Sequence, residues 1–383
     1  MNNRKVLLVA SVASMICQFN RNNIRILTDM GYDVEVACNF REGNTCTDLE
    51  IRNLKQYLTT HKIRYYQIDF LRNPAHIAGF LKAFRQLYDL CQNTRYQFIH
   101  CHSPIGSVAA RIVGHKLNIP VAYTAHGFHF YDGAPLHNWL IYYPLEYFLS
   151  NWTKVLITIT DEDFKRVNHK FCAQYIVHTH GIGIDVRDYI LDETQRQLTR
   201  VRIRTELGLS ESDKMLLSVG ELINRKNHKA IITALQQMNC PHLKYYICGI
   251  GDKLNFYKRF VKKCGMEQQV FFLGFRNDIR DLCASCDLFV FPSRQEGMPV
   301  ALMEAMASGA PVLCSDVRGN RELIRDPDRR FPTTDLNCII NKLVKWENGE
   351  FDCFLSKDRR NLQPYDIRSV EKEIRDAYQK MEQ

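Results

Sequence analysis

A chain of 383 residues is too long for one ordinary hydrophobic core and fits two domains. Hydrophobic residues at 45% and charged ones at 24% exclude a disordered chain or a coiled coil. The net charge of +9 is diffuse, with no arginine-rich tail or basic helix, so nucleic acid is not the expected partner; phosphate groups or an anionic membrane surface suit it better.

Arg4-Lys5 and the apolar run over residues 6–14 that follows have the outline of a signal peptide. A buried first strand over residues 5–10 accounts for the same composition, because without it the strand Val34-Glu35-Val36-Ala37 has no partner to start a parallel sheet. Further β-rich runs follow at 33–37, 64–68, 97–101, 120–124, 154–159 and 175–178, separated by amphipathic stretches at 17–30, 47–60, 74–92, 104–118, 136–150 and 161–172. The charged, apolar-poor stretch 187–213 reads as a linker. Alternation then resumes, with strands at 214–219, 243–248, 269–273, 287–291 and 311–314 and a charged helix near 366–381. Such alternation predicts α/β architecture with two parallel sheets, ligands at the carboxyl ends of the strands, and a site in a cleft between two domains. No apolar run reaches the roughly 20 residues of a membrane span.

Fourteen cysteines are scattered, and the lone C-x-x-C at Cys283 and Cys286 has no second pair at zinc spacing. A reducing cytoplasm is the expected setting. Gly181-Ile182-Gly183 and Gly249-Ile250-Gly251 each read G-x-G, but Val186 and Leu254 stand where a dinucleotide turn needs its third glycine. The second pair follows a strand and reads as a tight turn. Eleven of the thirteen histidines lie in residues 1–188. His100 and His102 share one strand face but have no further ligand at suitable spacing, so no metal site is expected. Residues 128–149 hold eight aromatics, including Trp139, Tyr142, Tyr143 and Tyr147. They read both as a helix packed into the first core and as an aromatic platform meeting a membrane interface or a prenyl chain.

The chemistry concentrates after the strand ending at Phe291-Pro292. Pro299 suits a first helical turn and Gly309 a helix C-terminus, which gathers the amides of Gly297, Met298, Val300 and Ala301 into an anion site. Glu296 lies beside that site and Glu304 just over one turn into the helix; a dipole-stabilising and a solvated role are the plainer alternatives. Glu296 and Glu304, seven residues apart in E-G-M-P-x-x-x-x-E-A-M-A-x-G-x-P-V, resemble the E-x7-E signature of retaining GT-B glycosyltransferases of family 4. Phe98-Ile-His-Cys-His-Ser-Pro-Ile-Gly and Tyr123-Thr-Ala-His-Gly-Phe-His-Phe-Tyr-Asp-Gly-Ala-Pro are similar to bacterial enzymes that build capsular or exopolysaccharide units on a lipid carrier.

The resemblance implies a GT-B fold with an acceptor-binding Rossmann-like domain over 1–188, a nucleotide-sugar domain over 189–365, and a last helix in 366–383 crossing back. It implies Glu296 at the transferred hexose, Glu304 on the donor ribose, and His126 near the reacting centre, where neutral imidazole suits pH 7. His129 is the second choice, with His102, Ser103 and Ser14 lining the acceptor side. The family's G-R-x-x-x-x-K reads Gly220-Glu221-Leu222-Ile223-Asn224-Arg225-Lys226 here. Lys226 is expected on the diphosphate and Arg225 in place of the missing arginine, while Glu221 is expected to point away or be paired. Val12-Ala13-Ser14-Met15 stands where many relatives carry a Gly-Gly loop. The implied reaction moves a hexose or N-acetylhexosamine from a nucleotide-diphospho-sugar, UDP expected, to a lipid-linked (polyprenyl diphosphate) saccharide with retention. Its implied place is the inner face of the cell membrane, peripherally, with no cofactor or divalent metal. A nucleotide-sugar epimerase of the same fold and a non-catalytic partner subunit are the alternatives; Glu221 and the missing Gly-Gly loop favour the latter.

Overall fold

The structure, a computed structural model, describes residues 4–43, 45–71, 76–102, 104–350 and 359–383. It divides into two compact units, Met1–Ile182 with Val370–Gln383, and Gly183–Ser369. The first unit is built on strands β1 (Lys5–Val12), β2 (Asp33–Asn39), β3 (Arg64–Gln67), β4 (Phe98–His102), β5 (Val121–Ala125), β6 (Val155–Thr158) and β7 (Tyr175–His178). They form one parallel sheet in the order β3-β2-β1-β4-β5-β6-β7. Every residue from Val6 to Val12 is buried, so the apolar run near the N-terminus is spent as an interior strand of the sheet. One face of the sheet is covered by Ile24, Leu27, Leu54 and Leu58 together with Val370, Ile374 and Tyr378 of the C-terminal helix Ile367–Gln379. The other face holds Ala109, Val113, Phe128 and Phe130.

The second unit repeats the plan with β8 (Lys214–Val219), β9 (Leu243–Cys248), β10 (Val270–Gly274), β11 (Leu288–Phe291), β12 (Val312–Ser315) and β13 (Arg330–Phe331), ordered β10-β9-β8-β11-β12-β13. In each sheet the strand order reverses beside its first strand, between β1 and β4 and between β8 and β11. Ligands bind open parallel sheets at that crevice, beyond the strands' carboxyl ends.

The stretch 187–213 is not a linker. It contains the helix Glu193–Glu206, whose only buried residue is Ile203. Arginines at helical spacing hold it. Arg200 Nη1 donates to Ser285 O at 2.6 Å, Arg204 Nη1 pairs with Asp287 at 3.1 Å, and Arg196 donates to the Ser308 carbonyl. A helix docked through guanidinium groups shows no apolar stripe, so hydrophobic periodicity misses it.

Candidate active site

The crevice of the second sheet is lined by the turn after β8 and the loop after β11. In the β8 turn the Lys226 stem lies across Gly220, where an added Cβ would meet it at 3.2 Å. A Cβ on Gly249 would come within 2.0 Å of Gly220 O, and one on Gly251 within 2.6 Å of Leu222 O. The second G-x-G therefore lets the loop after β9 close on the turn after β8, which is a larger task than the tight turn expected of it. A short 3-10 turn, Asn224–Lys226, then presents both cations, and Asn227 in the left-handed region (φ 55°) starts the next helix.

Glu296 is the hub of this arrangement. Its carboxylate is buried, and Oε1 accepts from Lys226 Nζ at 2.7 Å and pairs with Arg225 Nη1 at 3.1 Å. Arg225 also donates to Gln295 O at 2.9 Å, and Lys226 Nζ lies 4.9 Å from the centre of the Phe291 ring. Burial raises the Glu296 carboxyl pKa, but the charges of Lys226 and Arg225 and the Lys226 hydrogen bond outweigh it, so the group is held below its ordinary value of 4.5. The stability this ion cluster contributes is present at neutral pH and lost as the pH falls through that depressed value. Two cations around one carboxylate leave the cluster positive, as an anion site requires. Glu221 is half-exposed and makes no ion pair among the described residues.

The helix Val300–Ser308 follows, with Pro299 at its N-cap, one place earlier than the sequence suggested, and Gly309 at its C-cap (φ 76°) as expected. The run Gly297-Met298-Pro299-Val300 thus lies at a helix N-terminus beside Glu296. Arg318 Nε donates to Glu296 O at 3.2 Å, and Gly319 packs so closely that an added Cβ would sit 1.6 Å from Gly297 O. Gly319→Ala must therefore move the loop that carries Glu296. We expect a loss of about 1–3 kcal/mol in stability and at least tenfold in nucleotide affinity, read by thermal unfolding and calorimetry. Glu304, one helix turn on, is mostly buried; burial raises its carboxyl pKa, and the Tyr189 hydroxyl donates to Oε1 at 2.6 Å.

The first unit brings three histidines together at the ends of β4 and β5. His102 Nδ1 and His126 Nε2 are 3.1 Å apart and share a hydrogen bond. His100 is held between Tyr378 Oη and Thr124 Oγ1, both at 2.9 Å. Burial lowers His100 to about 3 and His126 to about 4, and takes His102 well below 6.5, so all three are neutral at pH 7. Below pH 6.5 the unfolded chain binds protons that the folded unit refuses, so stability falls from there towards pH 4. Each histidine adds a slope of up to about 1.4 kcal/mol per pH unit. Urea unfolding at pH 7 and pH 5 should differ by about 2 kcal/mol or more, and equal stabilities would contradict the buried neutral triad.

His126 borders a small recess with Phe19, Asn23, Thr124, Thr179 and Gly181. The His129 ring stacks on Tyr142 at 4.5 Å, and its carbonyl accepts from Asn138. Ser14 is buried in the helix Ala13–Phe19, which starts where β1 stops; strand passes to helix with no intervening loop. Ser103 lies outside the described residues. The chain also contains two D-x-D tripeptides with local roles. Asp163 Oδ2 accepts from Phe128 N, Asp326 Oδ1 accepts from Asp328 N, and Asp328 pairs with Lys342.

Residues 5–160 match the family model for glycosyl transferase 4-like domains, and residues 199–363 match that for glycosyl transferases group 1. EpsD of Bacillus subtilis (strain 168), named as a glycosyltransferase, is 33% identical over 334 residues, covering 86% of this chain and 83% of EpsD. The chain belongs to the GT-B glycosyltransferases. A second relative is the UDP-Gal:α-D-GlcNAc-diphosphoundecaprenol α-1,3-galactosyltransferase of Escherichia coli, 26% identical over 92% of this chain and 90% of its own. Among solved structures, Anabaena Alr3699/HepE in complex with UDP-glucose aligns with a TM-score of 0.75 at 19% identity, covering 98% of this chain and 99% of that one. WaaG, a glycosyltransferase involved in lipopolysaccharide biosynthesis, gives 0.67 at 18%, covering 97% and 98%. In this glycosyltransferase, Lys226, Arg225 and Glu296 form one ion cluster, a pairing that the sequence did not suggest. Arg318, Gly319 and Tyr189 escaped sequence reasoning, and the one available signal was a glycine directly after Arg318 at a strand-to-helix junction.

Proposed function

We propose that this glycosyltransferase moves a hexose or N-acetylhexosamine, with retention, from a UDP-sugar to a saccharide on a polyprenyl diphosphate. The observation that carries the reading is the buried Glu296 carboxylate holding Lys226 and Arg225 beside a helix N-terminus at the crevice of the second sheet. As the anomeric bond breaks, negative charge grows on the departing diphosphate. Lys226, Arg225 and the amides of Gly297, Met298 and Val300 are donors fixed in advance for that charge, which is where preorganised electrostatics lower a barrier. They neutralise the diphosphate without a divalent metal. Glu296 orients the cations and lies next to the transferred sugar, and Glu304 accepts from the ribose. An oxygen of the leaving diphosphate takes the acceptor proton on the departing face, which retains the anomeric configuration. His126, kept neutral by burial, offers a hydrogen bond to the sugar, with His102 behind it; the first unit takes the acceptor.

The lipid-linked acceptor is supported by two relatives. The Escherichia coli enzyme is named for a diphosphoundecaprenol substrate, as is a Campylobacter jejuni N-acetylgalactosaminyltransferase 36% identical over 30% of this chain and 32% of its own. No helix among the described residues is long and apolar enough to cross a membrane. The helix Leu136–Ser150 instead supports peripheral contact at the cytoplasmic face. Leu136, Leu140, Ile141, Leu145, Tyr147 and Phe148 are exposed on it, while its one charged residue, Glu146, is buried. Five of the eight aromatics of that segment belong to the core, since Phe128 and Phe130 are buried and Trp139, Tyr142 and Tyr143 pack against their cluster. The test is a panel of UDP-sugars, with and without membrane lipid extract and with EDTA throughout. Release of UDP only with lipid is expected. Sugar interconversion without lipid would identify an epimerase, and no turnover of any donor would identify a partner subunit.

A further inference from the structure

Glu304 is the one acid in the helix Val300–Ser308, and among the described residues it enters no ion pair. Among the described residues, the one side-chain donor to its carboxylate is the Tyr189 hydroxyl, 2.6 Å from Oε1. Tyr189 ends the 3-10 turn Val186–Tyr189, which is fixed at its start by the Arg187 amide on Asp185 Oδ1 and at its close by the Ile190 amide on Arg187 O. Burial and the neighbouring carboxylate both push the phenol pKa up, so Tyr189 keeps its proton and acts only as a donor towards Glu304. Glu304 is mostly buried but not sealed in the core. One of its oxygens is therefore capped from within the unit while the side chain still reaches the surface.

A carboxylate on a helix ordinarily samples several rotamers and can offer either oxygen, or both, to a neighbouring diol. Tethering Oε1 removes that freedom and leaves Oε2 as the acceptor in a set direction. We infer that Tyr189 is a positioning residue of the nucleoside site, orienting Glu304 so that its second oxygen selects a ribose diol over a deoxygenated sugar. The inference rests on the reading of Glu304 as the ribose acceptor. Tyr189 itself touches neither the diphosphate nor the transferred sugar, so its effect falls on recognition of the nucleoside and not on the chemical step.

The test compares binding of uridine diphosphate and 2′,3′-dideoxyuridine diphosphate to the full chain by calorimetry. Wild type should prefer the ribonucleotide by about tenfold or more, as expected for hydrogen bonds to a charged acceptor. In Tyr189→Phe the affinity for the dideoxy compound should stay within about twofold, while the preference for the ribonucleotide collapses to about twofold. Tyr189→His, which keeps a ring donor, should hold more of the preference than Tyr189→Phe and serves if the phenylalanine variant folds poorly. With saturating donor, kcat should be unchanged in both variants, whereas general damage to the fold would lower kcat and weaken both nucleotides alike. Undiminished preference in Tyr189→Phe overturns the inference. So does tighter ribonucleotide binding, which would mean that the phenol competes with the ribose for Glu304. If wild type shows no preference at all, the ribose assignment of Glu304 falls and the Tyr189 role with it, a result visible before any variant is made.

Discussion

Lys226→Ala is expected to lower turnover by about two to three orders of magnitude, the usual loss when one preorganised donor to a developing charge is removed. The effect has two parts. The ammonium at 2.7 Å from Glu296 Oε1 disappears from the anion site, so UDP binds more weakly. Glu296 is then left buried with Arg225 as its one remaining cation among the described residues, and the depression of its carboxyl pKa shrinks because the largest opposing charge is gone. Single-turnover rates at saturating UDP-sugar isolate the chemical step from the binding loss. Calorimetry with UDP isolates binding, and equal affinity in variant and wild type would remove Lys226 from the phosphate site. Glu296→Gln should behave differently. The amide still accepts a hydrogen bond, so nucleotide affinity should hold while turnover falls, because the sugar-side charge is lost.

The second large effect is on stability and lies in the first unit. Arg111 pairs with Glu146 at 2.7 Å, with side-chain exposures of 1% and 9%. Its guanidinium lies 4.2 Å from the centre of the Tyr123 ring, and the Tyr123 hydroxyl donates to Glu146 at 3.3 Å. Removing one member of such a pair strands a charge away from water, so Arg111→Met should cost about 3–5 kcal/mol. Replacing both partners removes the stranded charge, and Arg111→Met with Glu146→Leu should recover most of that loss. Urea unfolding followed through the aromatic signals of the first unit reads both variants. A single variant as stable as wild type would mean that the pair is hydrated in solution.

The strands of both sheets were legible because parallel strands buried on both faces are continuous apolar runs between helical segments, and Val6 to Ala10 or Leu288 to Phe291 read that way. β13 was missed because two residues carry no period. The helix Glu193–Glu206 was missed because arginines dock it through carbonyl and carboxylate contacts. At the site, local spacing placed Glu296 and Glu304 at the start of a helix, since helix caps and strand ends fix where they stand, whereas Lys226 was picked out by the resemblance to the family's G-R-x-x-x-x-K. Tyr189 meets Glu304 across 115 residues of sequence, and Arg318 meets the Glu296 carbonyl across 22, pairings that only the folded chain reveals. The aromatic segment is core in part, as one of its readings had it, because opposite sides of one helix face the core and the solvent.

A crystal structure of the full chain with UDP bound should show diphosphate oxygens within hydrogen-bonding distance of Lys226 Nζ and the amides at the start of the helix Val300–Ser308, with the ribose hydroxyls on Glu304. Nucleotide bound away from the crevice between β8 and β11, or bound there with its ribose turned from Glu304, would contradict this placement.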